Sequence, residues 1–326
     1  MKDEKSSANP GGAGNGGEVL TKVMHMIEHE GVSQREISRE SGLSQTTLSQ
    51  YLKGAYPGTL EMVEAKLGKW LRSRKRKAKY TKILRGSKDW ADTLTASKIL
   101  MLLEYCQMSG VMGLIFGASG VGKSRAIENY RENFSSIWIA TMSGAHGGVM
   151  AALEEVAHAL GLREIPGRPA RLLHEIVRVL IGTNGLLIID EAQHLSAQAL
   201  EAIRAIHDST GIGLVLVGNE VVHARISGGK RAAVFAQLFS RLGKTLRITG
   251  SSRSDVAALS SLYGIKNDEE IKTLWGIGRK PGGLRSVTNV LRLASVMSLA
   301  EDRSGVDKDL ILSAWADLCG EPFAEP

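Results

Sequence analysis

Val111-Met-Gly-Leu-Ile-Phe-Gly-Ala-Ser-Gly-Val-Gly-Lys-Ser124 is the stretch that decides the fold of this chain. Its first half, up to Phe116, is a short apolar run of the kind that forms a buried parallel strand. Its second half, from Gly117, matches the pattern G-x-x-x-x-G-K-[ST], and residues 125–133 after it have helical character. The strand, loop and helix together predict a phosphate-binding loop.

The residue types in this loop suit the binding of ATP and Mg²⁺. Glycines allow backbone N–H groups to surround an anion, and the following helix N-terminus adds the positive end of its dipole. Lys123 is expected to reach the β- and γ-phosphates, and the Ser124 hydroxyl is expected to bind Mg²⁺. A glycine-rich turn without a ligand is the alternative, but the strand–loop–helix context favours a nucleotide site. The predicted nucleotide-binding residues of the loop are Gly117, Ala118, Ser119, Gly120, Val121, Gly122, Lys123 and Ser124.

Length and composition favour a soluble protein with a polyanionic partner. The 326 residues allow two compact domains, and the net charge is +7. No apolar stretch is long enough to span a bilayer, and the polar, glycine-rich start is unlike a secretory signal. Cys106 and Cys319 are isolated thiols, which suits a reducing cytoplasm. We therefore expect a cytoplasmic protein with no membrane partner.

Residues 33–54 predict two short helices around a turn. Gly42 supplies a left-handed turn conformation, and Ser44 is placed to cap the second helix. The spacing resembles the helix-turn-helix of phage repressors, whose second helix enters a DNA groove. A structural helical hairpin that never touches DNA is the alternative. The outward polar residues predicted to contact DNA are Gln45, Thr46, Thr47 and Gln50.

A strongly basic run follows this segment. Residues 66–88 contain eleven Lys or Arg residues and no acid. Such a run is often only solvated surface or linker, but beside a helix-turn-helix it favours contact with DNA phosphates, without reading of sequence. The predicted phosphate contacts in its middle are Arg74, Lys75, Arg76 and Lys77.

Further strands and helices alternate beyond the phosphate-binding loop, which predicts a parallel sheet covered on both faces. One apolar strand, 186–189, leads into Asp190 and Glu191, and another, 214–217, is followed by Asn219. Ligands bind at the carboxyl edge of such a sheet. There Asp190 suits the Mg²⁺ shell, Glu191 suits polarisation of the attacking water, and Asn219 suits holding that water. Asn219 read alone is also an ordinary turn residue.

Two arginines complete the predicted site. Arg241 ends a predicted helix at 235–242, before a strand at 245–248, and an arginine there can reach the γ-phosphate of a neighbouring subunit. Arg285 opens a helix after a Pro-Gly-Gly turn and would approach the phosphates from a helical lid. In isolation, both would be read as surface arginines.

The order of these motifs resembles the AAA+ ATPases and, more narrowly, the Mu B transposition protein family. The motifs that carry the narrower resemblance are DEAQHL at 190–195, STGIGLVLVGN at 209–219, SGGKRAAVFAQLFSRLGK at 227–244 and KPGGLR at 280–285. The basic run is richer than we would expect of that family.

The resemblance implies a fold class of α/β type. It is an AAA+ P-loop ATPase with a parallel sheet core and a C-terminal helical lid, preceded by a small all-α helix-turn-helix domain. The implied domains are a disordered tail at 1–17, a helix-turn-helix domain at 18–72, a basic linker at 73–92, an ATPase domain at 93–249 and a lid at 250–326.

The resemblance also implies an ATP-dependent, Mg²⁺-dependent ATPase that binds double-stranded DNA without sequence preference. Such proteins assemble on target DNA as helical homo-oligomers and deliver it to a transposase, which stimulates hydrolysis. In the AAA+ pattern the loop at 227–231 precedes the arginine-finger helix, so Lys230 and Arg231 are expected to contact DNA in the bore of the oligomer. Arg168 and Arg171 are weaker candidates.

Three other functions remain open from the sequence. A transcriptional regulator would read a palindromic operator and use the nucleotide only as a signal. A helicase loader would share the AAA+ core but act on a replicative helicase. A small-molecule kinase fits least, since it needs neither the DNA-binding head nor Arg241.

Overall fold

The computed structural model describes residues 16–85, 90–227 and 241–324. The chain divides between Arg85 and Gly86 into two compact units. Within the described ranges, no helix is both long and apolar enough to cross a bilayer.

The first unit consists of four helices. They are α1 Gly16–His29, α2 Gln34–Ser41, α3 Gln45–Leu52 and α4 Leu60–Arg85. Gly42 ends α2 with φ 70°, and the Ser44 hydroxyl caps α3 by accepting from the Thr47 N–H at 3.0 Å. Both local predictions are confirmed. Buried apolar side chains from all four helices, including Val23, Ile37, Leu48 and Leu67, form one core.

Two segment bounds differ from the sequence prediction. The helix α1 begins at Gly16, inside the stretch expected to be a tail, and the remainder of that tail lies outside the described residues. The expected linker at 73–92 is helical as far as Arg85. The physical reason is its composition, since Lys, Arg and Ala favour a helix and neither Gly nor Pro occurs between Lys69 and Arg85.

The second unit is built on a five-stranded parallel sheet with the order β2-β3-β4-β1-β5. The strands are β1 Met112–Gly117, β2 Ile137–Thr141, β3 Leu186–Asp190, β4 Gly213–Gly218 and β5 Leu242–Ile248. Pairing places Leu114 opposite Leu216 on β4 and opposite Thr245 on β5. The strand that leads into the phosphate-binding loop therefore lies between two others, and connections leave it towards both faces, which creates a crevice at its carboxyl end.

Helices cover the two faces of this sheet. They are α5 Leu94–Ser109, α6 Lys123–Asn133, α7 Val149–Ala159, α8 Pro169–Leu180, α9 Ala197–Thr210 and α10 Glu220–Ser227. Alternate residues of β1 point to opposite faces. Leu114 and Phe116 pack with α7, α8 and α9, whereas Ile115 packs with α5 and α6. Burial on both faces explains why the strand is apolar throughout.

The last part of the chain forms a helical lid. Its helices are α11 Arg253–Ser261, α12 Asp268–Gly278, α13 Gly283–Ala300 and α14 Lys308–Cys319. They share a separate apolar core that includes Leu274, Val287, Leu291 and Ile311.

One predicted helix needs correction. The stretch 235–242 was expected to be helical, but Arg241 lies in a turn and Leu242 already begins β5. This strand lies on an edge of the sheet and alternates between exposed and partly buried residues, with Gly243 and Thr245 exposed. Its first residues therefore do not form the continuous apolar run that predicts a buried strand. Residues 228–240, which include Lys230 and Arg231, lie outside the described residues.

Candidate nucleotide site

The loop between β1 and α6 needs glycine for two close backbone approaches. Gly117 has φ 131°, and a β-carbon there would lie 2.0 Å from the Ile248 carbonyl oxygen at the end of β5. Gly120 has φ 75°, and a β-carbon there would lie 1.9 Å from the Gly282 carbonyl oxygen at the start of the lid. The loop is therefore held between the sheet edge and the lid, with its backbone close to both.

Lys123 begins α6 and turns its amine back into the loop. Its Nζ donates to the carbonyl oxygens of Gly117 at 3.1 Å and Ala118 at 2.7 Å. Burial lowers the pKa of Lys123, and the nearby carboxylates of Asp190 and Glu191 oppose that shift. A partly desolvated ammonium inside a loop of backbone amides is suited to bind phosphate oxygens.

Ser124 and Asp190 lie side by side. The Ser124 hydroxyl donates to Asp190 Oδ2 at 2.9 Å, and the Glu191 N–H donates to Asp190 Oδ1 at 2.9 Å. The Asp190 carboxylate is almost fully buried, and this burial raises its pKa, while the hydrogen bond from Ser124 lowers it. A hydroxyl and a buried carboxylate on adjacent elements form the hard-oxygen pair that Mg²⁺ prefers. These two residues fit the predicted metal shell.

Glu191 and Asn219 are linked by a residue that the sequence analysis missed. Gln193 donates through Nε2 to Glu191 Oε2 and accepts through Oε1 from the Asn219 N–H at 3.3 Å. This contact depends on the backbone of Glu191, which has φ 55°. Gln193 lies within the DEAQHL motif, two residues after Glu191, but local spacing does not reveal a left-handed turn.

The lid reaches the phosphate-binding loop directly. The Arg285 N–H, at the start of α13, donates to the Gly120 carbonyl oxygen at 3.1 Å. This bond fixes the first turn of α13 against the loop, and the Arg285 side chain lines the same cavity as Lys123.

One cavity of about 360 Å³ brings most of the predicted site together. From the predicted set it is lined by Gly117, Ser119, Gly120, Gly122, Lys123, Ser124, Glu191, Asn219 and Arg285. Other lining residues include Trp90, Thr93, Leu259, Leu284 and Thr288. This second group was not predicted, because the segment before α5 and the helices of the lid share no sequence motif.

Arg241 lies away from the cavity. It precedes β5, whereas the loop meets the other end of that strand, where the Ala118 N–H donates to the Ile248 carbonyl oxygen at 2.8 Å. Seven steps along a strand span roughly 20 Å. Arg241 Nε donates instead to Asp208 Oδ1 at 2.7 Å, near the end of α9.

The predicted DNA contacts of the first unit have different surroundings. Gln45 and Thr46 are exposed at the start of α3, while the Thr47 hydroxyl contacts Ser44 and Gln50 is half-buried. On α4 the side chains of Lys75, Arg76 and Lys77 are exposed.

Arg74 is engaged within the unit. Its NH1 donates to Glu36 at 2.9 Å and to Glu40 at 3.2 Å, and its guanidinium lies over the Trp70 ring. The hydrogen bond to Glu36 is the largest cause that raises the pKa of Arg74. Arg74 therefore ties α4 to α2. In the second unit, Arg168 and Arg171 are exposed at the start of α8.

Comparison with known proteins covers both parts of the second unit. The model of an AAA domain matches residues 107–226, and that of the C-terminal part of the Mu B transposition protein matches residues 240–318. The ATP-dependent target DNA activator B of Escherichia phage Mu is 33% identical over 92% of this chain and 95% of its own length. This chain belongs to the Mu B transposition protein family. Its AAA domain and this relationship identify it as an ATPase.

A further member of the Mu B family and two solved structures with the same kind of fold are also similar to this chain. The Mu-like prophage FluMu DNA transposition protein B of Haemophilus influenzae is 34% identical over 83% of this chain and 94% of its own length. The Aeropyrum pernix ORC2 protein has a TM-score of 0.53 at 17% identity, over 71% of this chain and 68% of that one. The ORC1 protein of the same organism, solved in complex with DNA, has a TM-score of 0.50 at 16% identity, over 68% and 65%. At these identities the two structures support the AAA+ fold.

Proposed function

We propose that this Mu B family member is an ATP-dependent activator of target DNA in transposition. It binds double-stranded DNA without sequence preference, assembles on it as a helical homo-oligomer, and delivers it to a transposase that stimulates hydrolysis. The convergence of Lys123, Glu191, Asn219 and Arg285 on one cavity beside a phosphate-binding loop is the observation that carries the nucleotide part of the proposal.

Each residue at the cavity has a role in ATP hydrolysis. Lys123 and the loop amides bind the β- and γ-phosphates, and Arg285 contacts the phosphates from the lid. Glu191 accepts a proton from the attacking water, and Asn219 orients that water. Ser124 and Asp190 would hold Mg²⁺, which when bound neutralises charge on the phosphate oxygens.

The position of Arg241 supports assembly. An arginine side chain is too short to span the roughly 20 Å of β5 to the loop of its own subunit. It therefore acts on the γ-phosphate of a neighbour, in a head-to-tail contact that repeats from subunit to subunit. A contact of this type generates a ring or a helical oligomer.

Binding to DNA rests on charge more than on base contacts. Lys75, Arg76 and Lys77 are exposed on one long helix and release counterions when they meet phosphates. Gln45 and Thr46, exposed at the start of α3, contact base edges or phosphates. In the second unit, the proposed DNA contacts are Arg168, Arg171, Lys230 and Arg231. The last two are proposed from the sequence alone.

The experiment that tests the proposal is DNA binding to two duplexes of unrelated sequence. Each is titrated with ATP, with ADP and without nucleotide, over a series of salt concentrations, with wild-type protein and with Lys123→Ala. We expect equal, cooperative and salt-sensitive binding to both duplexes that requires ATP and is lost in Lys123→Ala. Tight binding to only one duplex, independent of nucleotide, would overturn the proposal in favour of a transcriptional regulator.

A charge variant measures the contribution of α4 in the same assay. Removing two phosphate contacts in Arg76→Ala/Lys77→Ala should reduce the slope of log affinity against log salt by about 2 on both duplexes. The matched control is Arg131→Ala/Lys272→Ala, which removes two exposed basic residues from α6 and α12 and should leave the slope unchanged. Equal slopes for the two double variants would show that α4 does not contact DNA.

A further inference from the structure

A single amide joins the ends of two strands at the edge of the nucleotide cavity. Gln193 follows β3 and donates through Nε2 to Glu191 Oε2. Its Oε1 accepts at 3.3 Å from the backbone N–H of Asn219, which follows β4. Glu191 and Asn219 both line the cavity, so Gln193 connects two residues of the cavity wall.

The backbone after β3 is shaped to make this contact. Glu191 has φ 55°, a left-handed conformation that is uncommon for a residue with a side chain and that concentrates at functional sites. Residues Ala192–His194 then form a short 3₁₀ turn. This reversal carries the Gln193 side chain back towards the Glu191 carboxylate, two residues before it in the chain.

The neighbouring strand leaves room for the amide. A β-carbon on Gly218 would lie 2.6 Å from Gln193 Oε1 and 2.4 Å from Val222 Cγ2, so a side chain at position 218 would displace Val222 and the Gln193 amide. Asn219 is held from its other side, because its Oδ1 accepts from the Val221 N–H at 2.9 Å at the start of α10. Asn219 is thus held by Gln193 through its backbone N–H and by α10 through its side-chain oxygen.

We propose that Gln193 is a positioning residue for ATP hydrolysis, which holds the Glu191 carboxylate in register with Asn219. Its donation to Oε2 restricts the rotation of the carboxylate and leaves Oε1 as the oxygen that accepts the proton of the attacking water. The inference rests on the proposed role of Glu191 in hydrolysis. It adds that the geometry of that carboxylate depends on a residue outside the phosphate-binding motifs.

Two substitutions of similar size separate this role from simple packing. Gln193→Met keeps the length of the side chain but loses the hydrogen bonds to Glu191 and Asn219. Gln193→Glu keeps the acceptor but replaces the donor with a second carboxylate facing Glu191. The matched control is Gln198→Met, at an exposed glutamine on α9. The measurements are kcat for ATP, the Kd of a fluorescent ATP analogue, and the thermal unfolding midpoint.

The proposal predicts a loss confined to kcat. We expect kcat to fall about tenfold in Gln193→Met, a difference of about 1.4 kcal/mol in the barrier, and further in Gln193→Glu. The Kd of the analogue and the unfolding midpoint should match those of Gln198→Met. A wild-type kcat in Gln193→Met would overturn the proposal. A joint loss of kcat, affinity and stability would also overturn it, because it would show a structural role.

The proposed function is tested separately from this inference. If Glu191→Gln does not hydrolyse ATP but Gln193→Met does so normally, only the positioning role fails. If Glu191→Gln hydrolyses ATP at the wild-type rate, the assignment of Glu191 in the proposed function fails instead.

Discussion

Asp190 and Glu191 are neighbours in the chain with different surroundings. Asp190 is 6% exposed, contacts the Ser124 hydroxyl and has a pKa raised by burial. Glu191 is exposed at the cavity and is contacted by Gln193. Two carboxylates in distinct environments can take distinct roles. Here the buried one is suited to a metal shell and the exposed one to contact with water.

This division predicts the effect of Glu191→Gln. The amide keeps the shape of the side chain but cannot accept a proton, so hydrolysis should fall by about 10²- to 10³-fold. ATP affinity should stay within about twofold, because the phosphates are bound by other residues. Steady-state ATPase assays and analogue titration measure the two quantities. The exposed Glu164→Gln serves as the control. A variant that loses affinity as strongly as rate would place Glu191 in binding.

Single residues were predictable where a motif fixes both type and spacing. Lys123, Ser124, Asp190 and Glu191 follow from strands that end at one edge of a sheet, and their side chains lie close together there. Gln193 was missed because its contact requires the left-handed backbone of Glu191. Arg74 was predicted as a phosphate contact from charge alone, and sequence does not show that Glu36 and Glu40 lie beside it.

At the scale of elements, one buried carboxylate joins the lid to the ATPase core. Asp255, in the first turn of α11, is fully buried and accepts from the Thr95 N–H at 3.0 Å and from the Thr95 hydroxyl at 2.7 Å, at the start of α5. It also accepts from the Ser252 N–H at 3.0 Å. Burial acts to raise the pKa of Asp255, but the hydrogen bonds from Thr95 and Ser252 outweigh it, so the pKa is lowered.

Loss of this joint should destabilise the second unit. Asp255→Ala leaves buried donors unpaired, and we expect a loss of about 3 kcal/mol in the free energy of unfolding at pH 7. Because the folded-state pKa of Asp255 is below that of the unfolded chain, its contribution is present above about pH 4 and is lost as pH falls through the folded-state value. Urea unfolding across this pH range should show that the difference in free energy of unfolding between wild type and variant becomes smaller in acid.

The exposed Asp317→Ala on α14 is the control for this measurement. It should differ from wild type by less than about 0.5 kcal/mol at every pH. If the difference in free energy of unfolding between wild type and Asp255→Ala stayed constant in acid, the stabilising charge would not belong to Asp255.

Elements were predictable where local pattern decides them. The strands β1, β3 and β4 agree with the predicted apolar runs to within one residue at each end. The first residues of β5 were missed because an edge strand alternates between exposed and half-buried positions. The joint between α5 and α11 was not predictable, since Thr95 and Asp255 are 160 positions apart in the chain.

At the scale of the whole molecule, the residues proposed to act in hydrolysis are divided between the two ends of the sheet. Lys123 and Glu191 lie at the carboxyl ends of β1 and β3, whereas Arg241 precedes the amino end of β5. Parallel strands place these ends on opposite edges. Arg241 is paired with Asp208 within its own subunit, so the proposed contact with a neighbour's phosphate requires that this ion pair be broken. Hydrolysis should therefore depend on assembly.

Mixing two variants of low activity tests whether Arg241 acts on the cavity of a neighbouring subunit. Arg241→Ala keeps the nucleotide cavity intact but lacks the arginine that would reach a neighbour's γ-phosphate. Glu191→Gln keeps that arginine but lacks the carboxylate that accepts the proton. Each variant alone should therefore hydrolyse ATP slowly on DNA. In an equimolar mixture about a quarter of the head-to-tail contacts pair an intact cavity with an intact finger, and that fraction of wild-type activity should return. A mixture of Arg241→Ala with Arg241→Ala/Glu191→Gln is the control, because no subunit then supplies a finger. If the first mixture were no more active than this control, Arg241 would not act between subunits.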